Sequence, residues 1–128
     1  DLHSFPTRRS SDLNLCQPFD VNAFNAFVRT WTRSIVRVKG TIWIQQDPDM
    51  SYVFEQAGKQ VQMYENGLFS AAFPEKEQEQ LLREQPELLK DWDPVCGDHM
   101  IRLCFIGRHM DRKAIEEGLD ACLTEWNK

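Results

Sequence analysis

A cysteine and a histidine lie three residues apart in the segment DWDPVCGDHM, at Cys96 and His99. Thiolate sulfur and imidazole nitrogen are common zinc ligands, but zinc normally takes three or four protein ligands. Cys104 and His109 follow along the chain. If residues 100–107 form a strand, His99 and His109 are separated by roughly 30 Å at about 3.3 Å per residue, so the four cannot share one ion. The pair at Cys96 and His99 therefore predicts at most half of a metal site.

Three carboxylates surround the same segment, at Asp91, Asp93 and Asp98. Carboxylates beside a histidine can transfer protons in catalysis. The sequence supplies no nucleophile, oxyanion donors or positioned partner for them. A turn, with Trp92 packed beneath it, is the preferred interpretation. A small enzyme that uses the three carboxylates stays an alternative.

The sequence contains no phosphate-binding loop. Gly58-Lys59 is the nearest match, but no Gly lies five residues before Gly58, and Gln60 replaces the Ser or Thr that would bind magnesium. The stretch is better interpreted as the turn of a hairpin.

The composition favours one soluble domain. A chain of 128 residues is long enough for a single core, and its net charge of -5 gives no reason to expect a nucleic acid or a membrane as partner. No apolar run approaches the roughly 18 residues that cross a bilayer. The four cysteines, Cys16, Cys96, Cys104 and Cys122, are too sparse for a disulfide scaffold. We therefore expect reduced thiols in a cytoplasmic protein, with Cys104 and Cys122 buried as small hydrophobic residues.

Periodicity predicts the elements that position these residues. A helix begins after the N-cap Asp20, and Phe19 packs on Phe24 as a hydrophobic staple. Pro86 interrupts a charged middle helix, and a last helix runs from the N-cap Asp111 to Trp126. The predicted strands are IVRVKGTIWIQ, SYVFEQ, QVQMYE and HMIRLCFIG, the last apolar enough to be covered on both faces. The order predicts an α+β domain in which about three helices cover an antiparallel sheet of about four strands.

The first of these strands alternates between two faces. Its core face is predicted to carry Val36, Val38, Ile42 and Ile44, and its other face Arg37, Lys39, Thr41 and Trp43. Gly40 falls on the core face, where a neighbouring group needs room.

Three segments, VRVKGTIWI, DWDPVCGDHMIRLCFIG and MDRKAIEEGLDACL, together resemble the C-terminal domain of the CobW family of P-loop GTPases, from about Pro18 to Leu123. The resemblance implies an accessory domain without catalysis of its own, in a GTP-hydrolysing chaperone for zinc or cobalt. It also implies that GTP, Mg and Zn belong to the full-length protein, and that the partners are the missing N-terminal GTPase domain and a metal-client protein. His99 stands where family members usually carry Arg.

Residues that break the burial pattern are candidates for these contacts. They are Lys39, Trp43, Tyr64, Trp92 and Asp98. For Trp43 and Trp92 the alternative is ordinary packing, since aromatic residues chiefly fill cores. An alternative function is a stand-alone metal-binding or metal-buffering module that uses Cys96 and His99.

The first thirteen residues, DLHSFPTRRSSDL, have no apolar period and lack the apolar region of a secretory signal. A reverse translation of these residues resembles one reading frame of a widely used sequencing adapter. We therefore expect residues 1–13 to be an artefactual leader and residues 14–128 to be the CobW C-terminal-like domain, with the native sequence starting near Asn14.

Overall fold

In the computed structural model the fold is described for residues 1–9 and 16–126, apart from the side chains of Arg8, Arg9 and Asp91. The regular elements of these residues are β1 (His3–Arg9), α1 (Val21–Val28), β2 (Ile35–Trp43), β3 (Met50–Ala57), β4 (Gln60–Leu68), α2 (Glu75–Glu84), β5 (Ile101–Gly107) and α3 (Arg112–Ala121). Two short 3-10 segments, Ser70–Ala72 and Pro86–Asp91, flank α2.

The strands form one antiparallel sheet in the order β1-β5-β2-β3-β4. The predicted α+β class is confirmed, with five strands in place of about four. The additional strand is β1, which lies within the segment expected to be a leader. Phe5 stacks on Phe105 of β5 at 5.3 Å between ring centroids, and Thr7 is also buried. The predicted start of native sequence near Asn14 lies outside the described residues.

Helices α1 and α3 cover one face of the sheet. Asp20 caps α1 by accepting a hydrogen bond from the amide of Ala23, and Phe19 stacks on Phe24 at 4.8 Å, so the predicted cap and staple are both confirmed. Asp111 caps α3 in the same way. The core between these layers is formed by Phe24, Val38, Phe54, Leu103, Phe105, Ile115 and Leu119, among others.

The opposite face of the sheet is largely uncovered, and three expectations about burial are wrong. Strand β5 alternates between buried and exposed residues instead of being covered on both faces, and Cys104 is exposed. In β2, Val36 is 41% exposed because a bulge between Ile35 and Arg37 shifts the alternation.

The last helix ends earlier than its apolar pattern predicts. α3 stops at Ala121, and Trp126 lies beyond it, where its ring contacts Trp43. The break at Pro86 is confirmed, since α2 ends at Glu84. Among the residues described, no helix combines the length and apolar character needed to span a bilayer.

Candidate functional site

The open face of the sheet is the side opposite α1 and α3, and its centre consists of the exposed residues Lys39, Tyr64, Arg102 and Cys104 and the half-buried Glu55. Directly paired residues of neighbouring strands point to the same side. Lys39, which pairs with both Cys104 and Glu55, therefore stands in the middle of this face. Its Nζ lies 3.3 Å from Glu55 Oε1, with 59% of the side chain exposed. A cleft of about 510 Å³ adjoins this lysine and Arg102. Two of the candidate contact residues, Lys39 and Tyr64, are thus accessible here.

Aromatic rings close one end of this face. Trp43 is fully buried, and its ring centroid lies 4.8 Å from that of His99 and 4.9 Å from that of Trp126. Its indole Nε1 donates a hydrogen bond of 2.9 Å to the carbonyl oxygen of Pro48. Trp43 is therefore packed in the interior, as the packing alternative predicts. The prediction that it is a surface contact is wrong, because the surrounding rings make it inaccessible.

Asp98 fastens the loop before β5 to the 3-10 segment Ser70–Ala72. Its Oδ2 accepts a hydrogen bond of 2.8 Å from the amide of Ser70, and its Oδ1 accepts one of 2.9 Å from the amide of Ala71. Both carboxylate oxygens are therefore engaged by the backbone of this chain.

A tight turn at Asp93–Gly97 lies just before Asp98. The backbones of Asp93 and Gly97 exchange hydrogen bonds of 2.9 and 2.8 Å, and Gly97 has a φ of 63°. Only glycine adopts this conformation without strain, and a Cβ here would also lie 3.1 Å from the ring of Trp92. The half-buried Trp92 thus lies against the turn, as the packing alternative predicts.

The carboxylate of Asp93 organises the same turn. Its Oδ1 accepts hydrogen bonds of 2.7 Å from the amide of Val95 and 3.1 Å from that of Cys96. Asp93 and Asp98 therefore bind separate sets of backbone donors, and the third carboxylate, Asp91, has its side chain outside the described atoms. This arrangement lends no support to the alternative of a small enzyme.

Cys96 is joined to Cys16 by a disulfide with a Cα–Cα distance of 5.9 Å. The expectation of reduced thiols is therefore wrong for these two residues, because the fold brings together cysteines 80 positions apart. Cys104 and Cys122 are free. Cys122 is buried as expected, and burial raises the pKa of its thiol.

His99 lies beside Cys96, but its ring contacts the backbone of that residue. Nδ1 donates a hydrogen bond of 2.6 Å to the carbonyl oxygen of Cys96, while Nε2 is buried and has no hydrogen-bond partner among the described residues. Cys96 and His99 as metal ligands stay a prediction.

Within the described ranges, a different group of possible metal ligands surrounds Cys96. The sulfur atoms of Cys16 and Cys96 and a carboxylate oxygen of Asp93 all lie within 4.8 Å of one another. Sequence reasoning missed this grouping. An even number of cysteines was the available signal, but it does not say which of them meet.

Comparisons with known proteins address the family. The sequence-family model described as the cobalamin synthesis protein cobW C-terminal domain matches residues 9–123. Zinc-regulated GTPase metalloprotein activator 1 of Dictyostelium discoideum is 32% identical over 90 residues, which are 70% of this chain and 19% of that protein.

Two solved structures share the fold at 12% identity. The Zn(II)-bound YjiA GTPase from E. coli aligns with a TM-score of 0.59 over 95% of this chain and 30% of its own. A Zn(II)-bound triple mutant of the YjiA GTPase aligns with a TM-score of 0.62 over 97% of this chain and 30% of its own. The chain thus spans less than a third of each relative. Because the family model covers most of its residues, the chain belongs to the cobW C-terminal domain family.

Proposed function

We propose that this chain is the accessory C-terminal domain of a CobW-like, GTP-binding metal chaperone and contributes contacts without catalysis of its own. The observation that carries the proposal is the family match over residues 9–123. The names of the relatives, a zinc-regulated GTPase metalloprotein activator and a Zn(II)-bound GTPase, support zinc as the metal.

In this proposal the chemistry belongs to a longer cytoplasmic protein. An N-terminal GTPase domain would bind GTP with Mg and hydrolyse it, and the metal, zinc or cobalt, would pass to a client protein. The shares of 19% and 30% that this chain covers in its relatives are consistent with such a larger partner domain.

The open face is the surface that we assign to the contact with the GTPase domain. No helix of the described ranges covers its centre, and Lys39 and Arg102 place positive charge beside its cleft. Charged residues on an accessible surface chiefly determine orientation and specificity of association. A complementary acidic surface on the GTPase domain follows from this assignment.

The source DNA tests the proposed domain organisation. We propose that residues 1–13 are a foreign leader, so the native DNA upstream of the codon for Asn14 should encode something else. An in-frame loop of the form G-x-x-x-x-G-K-[ST] there would support the chaperone, because this loop binds phosphate and magnesium. A genomic read with the same thirteen codons in place would refute the leader, and a stop codon directly upstream would refute the GTPase domain.

The contact is tested with the GTPase domain encoded upstream. Reversing the charge at Lys39 (Lys39→Glu) should weaken its binding to this chain by roughly tenfold or more, because it places like charges together. Lys113→Glu is the matched control, since Lys113 is exposed on α3, on the other side of the sheet. Equal effects of the two substitutions, measured by isothermal titration calorimetry, would exclude the open face as the contact.

A further inference from the structure

We propose that Cys16, Asp93 and Cys96 form a redox-gated site for a thiophilic divalent cation such as Zn²⁺. The structure shows the closed form, in which the two sulfur atoms are bonded to each other. Cys16 Sγ lies 3.4 Å from Asp93 Oδ1, and the three ligand atoms lie within 4.8 Å of one another. This site shares Cys96 with the pair at Cys96 and His99, but Cys16 and Asp93 take the place of His99.

The two halves of the site are held in place without the disulfide. On one side, the Asp93–Gly97 turn is closed by two backbone hydrogen bonds and by the carboxylate of Asp93. On the other side, the backbone of Phe19, three residues after Cys16, bonds to Trp43 and Gln45 at 2.8 Å each. Reduction leaves these backbone hydrogen bonds in place, so we expect the two thiols to stay close enough to bind one metal ion.

The chemistry of opening and binding balances. A dithiol reductant transfers two electrons and two protons to the Cys16–Cys96 bond, forms its own disulfide, and leaves two thiols. Zn²⁺ then binds both sulfur atoms as thiolates and releases two protons. Two thiolates and the Asp93 carboxylate supply three ligands, and water takes the fourth position of a tetrahedral zinc.

The charge and the access of the site suit a cation. Two thiolates beside a carboxylate would bring three negative charges together, and a divalent cation offsets most of that repulsion. A cleft of about 600 Å³ reaches Asp93 and Cys96 from the solvent, and Asp49 and Glu75 also line it. A site with three protein ligands and an accessible cleft is suited to releasing its metal as well as binding it.

The test uses the whole 128-residue chain, reduced with a phosphine and titrated with Zn²⁺ against a chromophoric chelator. We expect one zinc per chain, and Co²⁺ in its place should give the sulfur-to-metal charge-transfer absorption of thiolate ligation. The oxidised chain is the first control, because it keeps the fold and lacks both thiolates. Zinc binding of equal strength in the oxidised and reduced chains would overturn the proposal, as would no binding in either.

Variants identify the ligands. Cys16→Ser and Cys96→Ser should each abolish the charge-transfer band or weaken binding at least tenfold. Asp93→Asn keeps an oxygen that can accept the hydrogen bonds of the turn. It should weaken zinc binding by about tenfold or more, since even the loss of a residue that only hydrogen-bonds to a metal ligand typically costs about tenfold in affinity. Cys104→Ser is the matched control, since Cys104 is a free thiol on the open face. Retained affinity in Cys16→Ser together with a loss in His99→Asn would refute this site and favour the pair at Cys96 and His99.

Discussion

The two hydrogen bonds that Asp98 accepts distinguish a structural role for this residue from a surface role. If Asp98 served only as a partner contact, its removal would leave the fold unchanged. In the structure its two oxygens accept the amides of Ser70 and Ala71 at 2.8 and 2.9 Å. We therefore predict that Asp98→Ala destabilises the isolated chain.

The magnitude follows from those two bonds. Hydrogen bonds to a charged group contribute about 1.5–3 kcal/mol each. Asp98 is half-buried and lines the cleft beside the open face, so water can reach the vacated amides, and the lower end of the range applies. The expected loss of unfolding free energy is about 3 kcal/mol for Asp98→Ala. Asp98→Asn keeps a single neutral acceptor, and its expected loss is about half as large.

Urea unfolding followed by tryptophan fluorescence measures this loss, because Trp43 lies in the ring cluster beside His99. Glu117→Ala is the control, an exposed carboxylate on α3 whose replacement should change stability by no more than about 0.5 kcal/mol. A loss below about 1 kcal/mol for Asp98→Ala, with the same denaturant slope as the parent, would refute the reasoning.

Three further predictions concern stability. Reducing the Cys16–Cys96 disulfide in the absence of metal should lower the unfolding free energy by about 2–4 kcal/mol, because it releases a loop closed over a sequence separation of 80; a urea midpoint unchanged by reductant would contradict this. Gly118→Ala should destabilise the chain by about 1 kcal/mol. The added Cβ would overlap the ring of Phe27, and the cost of this overlap exceeds the gain in helix propensity. A higher melting temperature would contradict this prediction. A 2.6 Å hydrogen bond to Asp47 raises the pKa of Tyr52 from 10.0 to about 12. The contribution of this hydrogen bond to the stability of the fold is therefore complete below pH 10 and is lost as the pH rises toward 12. Tyr52→Phe should cost about 1 kcal/mol at pH 7 and flatten the pH dependence of the urea midpoint in that window.

Local signals in the sequence were sufficient to predict the starts of α1 and α3 and the hairpin between β3 and β4. Asp20 and Asp111 are short polar side chains directly before apolar periods, and each caps its helix through the amide three residues later. The hairpin between β3 and β4 follows from Gly58, whose φ is 60°. In each case the residues that determine the structure are neighbours in the chain.

Burial was harder to predict where it depends on what covers a strand. The apolar run at β5 indicated cover on both faces, yet the face that carries Cys104 is exposed. The alternation of β2 predicted that Trp43 lies on the face away from the core, and its position in the strand register agrees with this. Rings from Phe69 and Trp126, distant in sequence, nevertheless bury it. Periodicity indicates which side a residue faces but does not show what lies there.

The loop before β5 illustrates why the candidate site required the structure. Its side chains point to three distant parts of the chain: Cys96 bonds to Cys16, Asp98 binds the 3-10 segment, and His99 joins the rings around Trp43. In the sequence these residues form one cluster, for which a turn was preferred and half of a metal site or a small enzyme stayed open. In the structure the carboxylate and the ring mainly fix the loop, and that fixed loop holds Cys96 opposite Cys16. The disulfide partner of Cys96 is therefore determined by long-range packing, which the spacing between Cys96 and His99 does not reveal.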